Sequence, residues 1–199
     1  IISKTKIASN AKFLKHGAIK KFKKRLSSTM KKVIVIGSST GGPATLEKLL
    51  KYIPKDIPVP ILIVQHMPAL FIKSFAKRLN RICDVEVKEA KNGDRLKDGV
   101  VFIAPGDFHM KLEAAHNDYG CVIWLNKEPP ELSVRPSVNH IFRSASKIFK
   151  QNTIGVILTG IGEDGTDGCR SIKEHGGTVI AQAKESCVVY GMSKSVIDK

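Results

Sequence analysis

Val33-Ile34-Val35-Ile36-Gly37-Ser38-Ser39-Thr40-Gly41-Gly42-Pro43 is the stretch on which the fold turns. Four β-branched residues in a row read as a strand buried on both faces, as in the middle of a parallel sheet. The run breaks at small residues. Pro43 then suits a first helical turn, where its missing N–H costs little. Leu46, Leu49, Leu50 and Ile53 follow at i, i+3, i+4 and i+7, one face of a helix. Strand, glycine turn and helix in succession are the opening of a βαβ unit.

The same grammar continues downstream. Residues 61–64 form a second buried strand ending at Gln65-His66-Met67-Pro68. A helix starts near Pro68, with Phe71, Phe75 and Leu79 stacked on one face and Lys73 and Lys77 on another. Residues 85–87 read as a strand with one wet face, Asn92-Gly93 as a turn, and residues 100–104 as a strand closed by Pro105-Gly106. Residues 108–125 look like a hairpin: Met110, Leu112 and Ala114 alternate with polar residues, and Asn117, Asp118 and Gly120 supply the turn. After Pro129, Pro130 and Pro136, the residues Val138, Ile141, Phe142, Ala145 and Phe149 take helical spacing. Residues 154–158 are a third buried strand, followed by Thr159-Gly160-Ile161-Gly162-Glu163-Asp164-Gly165, a helix over 166–175, and a strand at 178–181. Strands alternating with helices argue for an α/β fold with a mainly parallel sheet, to which the hairpin is an antiparallel addition.

Composition agrees with one domain and a tail. The chain has 199 residues, 42% of them hydrophobic and 26% charged, enough to build a core and too apolar for wholesale disorder. No apolar run approaches the length of a membrane span, and residues 1–32 hold no secretory h-region. The first residue is Ile, so the chain is expected to be a piece of a longer protein. The net charge of +15 invites a nucleic-acid reading that its distribution weakens. Residues 1–32 carry eleven Lys and Arg and no acid, whereas the rest carries 22 basic and 18 acidic residues, a net of +4. Residues 1–30 are therefore expected to be a basic linker, and 31–199 the domain. A membrane-surface helix, suggested by Ile7, Ala11, Leu14, Ala18 and Phe22, and a nucleic-acid arm are the competing readings of the tail. No zinc finger, helix-turn-helix or ribonucleoprotein signature supports the arm. Cys83, Cys121, Cys169 and Cys187 form no C-x-x-C pair and no zinc spacing, and read as reduced thiols of a cytoplasmic protein.

Ligands of open α/β sheets bind beyond the carboxyl ends of the strands. Three strand ends here carry reactive groups: Ser38-Ser39-Thr40, His66, and Glu163-Asp164. Gly37-Ser38-Ser39-Thr40-Gly41 matches G-x-S-x-G, in which small residues permit a sharp turn that exposes the serine above a helix N-terminus. The same glycines could merely make a tight turn, or cradle a phosphate in a Rossmann-like nucleotide-binding domain built on residues 37–42. Neither G-x-G-x-x-G nor a P-loop is present. His66 ends a buried strand and could move a proton; His109 is its one credible competitor. Asp164 could orient His66, or simply cap a helix. Glu163, Asp164 and Asp167 lack the spacing of a calcium loop, so no metal is expected. The order Ser, His, Asp differs from that of α/β-hydrolases.

The body also resembles the catalytic domain of the chemotaxis protein-glutamate methylesterases, the CheB family. The resemblance runs through Ile36-Gly37-Ser38-Ser39-Thr40-Gly41-Gly42, Gln65-His66-Met67-Pro68, Ile103-Ala104-Pro105-Gly106-Asp107 and Arg135-Pro136-Ser137-Val138. It continues in Gly155-Val156-Ile157-Leu158-Thr159-Gly160 with Asp164-Gly165, Ala181-Gln182, and Ser186-Cys187-Val188-Val189-Tyr190-Gly191-Met192. It implies a doubly wound parallel sheet bearing a serine hydrolase, with Ser39 as nucleophile, His66 as base and Asp164 as its partner. It implies an oxyanion site supported by Thr40, Ile161 and Gly162, and no metal or organic cofactor. The implied reactions are demethylation of glutamate methyl esters and deamidation of certain glutamines on cytoplasmic helices of methyl-accepting chemotaxis receptors. A receiver domain is the other implied partner, joined through the basic linker; neither nucleic acid nor membrane insertion is expected. The chain departs from the family pattern at Ile161, where Met is usual, at Asn139, where Asp is usual, and at Ser193, where Pro often stands. A further C-terminal element beyond Lys199 is also expected.

Overall fold

The β-branched run forms β1 (Val33–Ser38), in the interior of a six-stranded sheet. The structure is a computed structural model and describes residues 32–114 and 120–199. The linker expected at residues 1–30, with its helical pattern, and the hairpin turn at Asn117 and Asp118 lie outside the described residues.

β1 is followed by α1 (Gly42–Leu50), β2 (Ile61–Gln65), α2 (Ala69–Ile82), β3 (Glu86–Glu89) and β4 (Val100–Ile103). A hairpin of β5 (His109–Ala114) and β6 (Cys121–Asn126) leads to α3 (Val138–Phe149). Then come β7 (Thr153–Ile157), α4 (Thr166–Glu174), β8 (Thr178–Ala181) and α5 (Met192–Asp198). The sheet runs β3-β4-β2-β1-β7-β8, every neighbouring pair parallel, and β5 and β6 pair antiparallel by themselves.

Alternation along the strands divides the core into two layers, as a doubly wound sheet requires. Val33, Val35, Leu62, Val64 and Phe102 pack with Val138, Phe142 and Ile172 of α3 and α4 and with the hairpin. Ile36, Ile61, Ile63 and Ile103 pack on the other face with Leu46 and Leu50 of α1 and Ile72, Ala76 and Leu79 of α2. Each fully buried aliphatic side chain contributes about 1.5–3 kcal/mol, so these layers rather than the turns hold the fold.

Two elements differ from the sequence reading. The inner face of α2 is Ile72, Ala76 and Leu79, while Phe71 is 58% exposed. Position 71 is rotated about 100° from 72, enough to leave the inner stripe. Helix α5 was not anticipated, because seven residues are too few to show a period.

The chain leaves β1 toward β2 on one side and reaches β7 on the other, so the strand order reverses at β1. Crevices form at such reversals. Register then sets the neighbours. Ser38 pairs with Gln65 and Gly37 with Ile157. The residues that leave β1, β2 and β7 are therefore side by side.

Candidate active site

Ser39 is the first residue past β1. Its N–H donates to the Thr159 carbonyl at 3.0 Å, and its own carbonyl accepts from Gly42 N–H at 2.8 Å, which folds residues 39–42 into a tight turn before α1. Gly41 has a left-handed backbone, φ 83°, and a Cβ there would stand 2.5 Å from Val188 Cβ. Only glycine suits such a site. Gly160 approaches from the β7 side: a Cβ on it would lie 2.8 Å from Ser39 Cβ and 2.2 Å from Met192 Sδ. The serine is thus presented by a turn closed on both sides, with its side chain left partly exposed.

Gln65 ties this turn to β2. It is 1% exposed, so its amide must find its partners within the protein. Its Oε1 accepts from Ser38 Oγ at 2.7 Å, and its Nε2 donates to the carbonyls of Ser39 and His66, both at 2.9 Å. One buried amide therefore sets the serine turn against the residue that follows β2. The sequence reading assigned no role to Gln65; an amide ending an otherwise apolar strand was the available signal.

His66 Nε2 meets Asp164 Oδ2 at 2.8 Å, across 98 residues of chain. Asp164 is 3% exposed and sits against the start of α3. Its Oδ1 accepts from Ser137 Oγ at 2.7 Å and its Oδ2 from the Val138 N–H at 2.7 Å. Asn139 N–H adds a longer bond to Oδ1 at 3.3 Å. Burial alone pushes the Asp164 carboxyl up, and the bonds from His66, Ser137 and Val138 more than offset it, leaving it below its ordinary value. The helix N-terminus adds a favourable dipole for the anion. With Nε2 taken by the carboxylate, Nδ1 is the His66 nitrogen left for another partner. No hydrogen bond joins Ser39 Oγ to His66 among the described residues.

The β7 loop completes the rim. Thr159 Oγ1 donates to the Thr40 carbonyl at 2.9 Å and accepts from Val189 N–H at 2.9 Å, so it fastens segment 187–191 to the serine turn. The N–H groups of Thr40 and Ile161 have no acceptor among the described residues. Gly162 is left-handed at φ 86°. Ile161 is 64% exposed, so the exchange of Met for Ile there leaves the core untouched. Ser193, the third departure, is fully buried, with its Oγ 3.5 Å from the Ile157 carbonyl.

Other candidates stand apart from the trio. Glu163 and Asp167 pair at the surface with Lys199 and Arg170. His109 is fully buried and stacked on His140. Burial pushes the Cys121 thiol up to about 11 and the Cys169 thiol up to about 12, unsuited to nucleophilic work. No helix among the described residues is long and apolar enough to cross a membrane.

A protein-family model described as CheB methylesterase matches residues 34–199. The protein-glutamate methylesterase/protein-glutamine glutaminase of Thermotoga maritima is 49% identical over 168 residues, 84% of this chain and 48% of that protein. The protein of the same description from Methanosarcina barkeri is 44% identical over 198 residues, 98% of this chain and 53% of that one. The crystal structure of the Thermotoga maritima CheB methylesterase catalytic domain aligns with a TM-score of 0.82 at 49% identity, covering 84% of this chain and 88% of that one. The chain spans about half the length of the curated relatives it matches. None of these relatives is described as a nucleotide-binding protein, and that alternative for residues 37–42 gains no support.

Proposed function

The chain belongs to the CheB methylesterase family, and from that premise we propose that Ser39, His66 and Asp164 are the catalytic triad of a protein-glutamate methylesterase. The observation that carries the reading is the His66–Asp164 bond of 2.8 Å, made by a carboxylate kept ionised by the start of α3, on the same rim as the Ser39 turn. Such a pair holds an imidazole in one tautomer and stabilises the imidazolium that forms during acyl transfer.

His66 Nδ1 takes the Ser39 proton as Oγ attacks the side-chain carbonyl of a glutamate methyl ester. The tetrahedral oxyanion is held by the free N–H groups of Thr40 and Ile161, with Gly162 allowing the loop to turn; the Ser39 N–H is already spent on Thr159. One oxyanion donor is worth about 100- to 1,000-fold in rate. The imidazolium returns its proton to the leaving methoxide, and methanol departs. Water then attacks the acyl-enzyme by the same route and releases glutamate. With a glutamine side chain the first leaving group is ammonia, which gives the deamidase reaction. No step calls for a cofactor or a metal.

The relatives' names supply the substrate class: glutamyl esters and glutamines of proteins. Cytoplasmic helices of methyl-accepting chemotaxis receptors are the proposed substrates, a receiver domain is the proposed partner, residues 1–30 its linker, and the cytoplasm the place of action. The test is methanol release from methyl-esterified receptor by this chain and by Ser39→Ala. A fall of at least about 10,000-fold in the variant is expected for a triad nucleophile. Release that survives the substitution overturns the assignment.

A further inference from the structure

His109 competes with His66 in the sequence, and the structure gives it different surroundings. Its ring is fully buried. Nδ1 accepts the Ser137 N–H at 3.1 Å, and Nε2 donates to the Pro129 carbonyl at 3.1 Å. Both bonds form only when the proton is on Nε2, so the ring is neutral and of one tautomer. A second proton would sit on Nδ1 and face the Ser137 N–H head on. Burial pushes His109 below its ordinary imidazole value. The His140 ring, stacked on it at 3.7 Å, is lowered to about 4 by burial and by His109 itself. Glu128, Glu131, Arg135, Lys111 and Arg143 are the charged side chains facing this pair.

Ser137 is what His109 holds, and Ser137 is the N-cap of α3. Its Oγ donates to Asp164 Oδ1 at 2.7 Å, and the next N–H, from Val138, donates to Oδ2 at 2.7 Å. The two donors that aim the carboxylate at His66 therefore belong to a backbone segment pinned by the His109 ring. We propose that His109 is a positioning residue for the reaction, setting Asp164, and through it His66, by way of Ser137. The proposal rests on the Ser39, His66, Asp164 reading above. It assigns His109 no proton transfer and no contact with substrate.

Asparagine and glutamine separate the two halves of the imidazole. Asn places an oxygen where Nδ1 stands and keeps the acceptor for Ser137. Gln places an NH₂ where Nε2 stands and keeps only the donor to Pro129. The expected result is that His109→Gln lowers kcat about 10- to 100-fold, the cost of a misaimed catalytic group, while KM stays within about twofold. His109→Asn keeps kcat within about threefold of the wild type, the rescue expected if the Ser137 contact is what matters. Ser137→Ala, which breaks the relay without touching His109, reproduces the loss in kcat at unchanged KM. A ring that only fills space predicts instead that Gln, the larger replacement, does at least as well as Asn. Equal kcat in the Asn and Gln variants, or a normal kcat in Ser137→Ala, overturns the proposal. Ser39→Ala in the same assay keeps the two ideas apart: activity there sinks the triad, whereas an inactive Ser39→Ala beside a fully active Ser137→Ala sinks only the role of His109.

Discussion

Asp164 Oδ2 accepts the Val138 backbone N–H at 2.7 Å, so the carboxylate facing His66 also satisfies the first turn of α3. A group that does both jobs links the site to the stability of the fold.

Asp164→Asn should reveal both. The amide cannot accept from His66, Ser137 and Val138 together, and kcat is expected to fall by about 10,000-fold through loss of the required tautomer. The stability effect carries a pH signature. The folded carboxyl lies below its ordinary value, so its contribution is complete above the unfolded pKa of about 3.9 and is lost as pH falls through the folded value. The stability gap between wild type and Asp164→Asn should therefore be widest near neutrality and narrow below about pH 4. Urea unfolding at a series of pH values measures it, and a gap that widens on acidification would count against the hydrogen-bonded anion.

Gln65→Leu removes one acceptor and two donated bonds from a fully buried site. Leaving Ser38 Oγ and the His66 carbonyl unpaired, while the Ser39 carbonyl keeps its bond from Gly42 N–H, should cost about 2–4 kcal/mol, allowing 1–3 for each orphaned group and some relaxation. Activity should fall further than stability alone explains, because the Ser39 and His66 carbonyls lose their common tie. Gln65→Glu keeps the acceptor for Ser38 and separates the two effects. Thermal unfolding and kcat, measured on the same samples, decide; a Leu variant with wild-type kcat would leave the brace without a catalytic consequence.

Asn139 has a partner that an aspartate there could not keep. Its Nδ2 donates to Glu131 at 2.9 Å, while its Oδ1 accepts from Gly168 N–H at 2.8 Å. Asn139→Asp sets two carboxylates against each other and should destabilise the protein by about 1–3 kcal/mol. Adding Glu131→Gln should recover a good part of that loss, although Glu131 also pairs with Arg143 and His140. A double-mutant cycle by chemical denaturation reads the coupling, and strict additivity would mean that the contact carries no energy.

Much of the site was readable because its chemistry lies at strand ends. The runs at 33–36, 61–64 and 154–158 marked buried parallel strands, and the residues that follow a parallel strand share one rim. Ser39, His66 and Asp164 could be named as candidates on that ground. Gln65, Ser137 and Thr159 could not. Each works through partners in distant segments, and such partners leave no periodicity in the chain. The face of α2 differs because i+4 steps drift around the helix: Phe71 falls outside the inner stripe of Ile72, Ala76 and Leu79. The role of Asn139 needed its partner: the side chain reaches Glu131, which no spacing rule pairs with it.

The position of β7 also sets a timetable. β1 finds β2 within a few dozen residues of chain, but its other edge is closed by residues 153–157, made much later. Until those residues leave the ribosome, β1 presents a bare apolar edge of the kind that recruits foreign strands. Asp164 and the 187–191 segment arrive later still. The Ser39 turn is thus complete only once almost the whole body has been made and paired, and a half-made chain carries Ser39 without Asp164 or the segment that closes its turn. Under the proposed hydrolase reading, late assembly is a safeguard written into strand order.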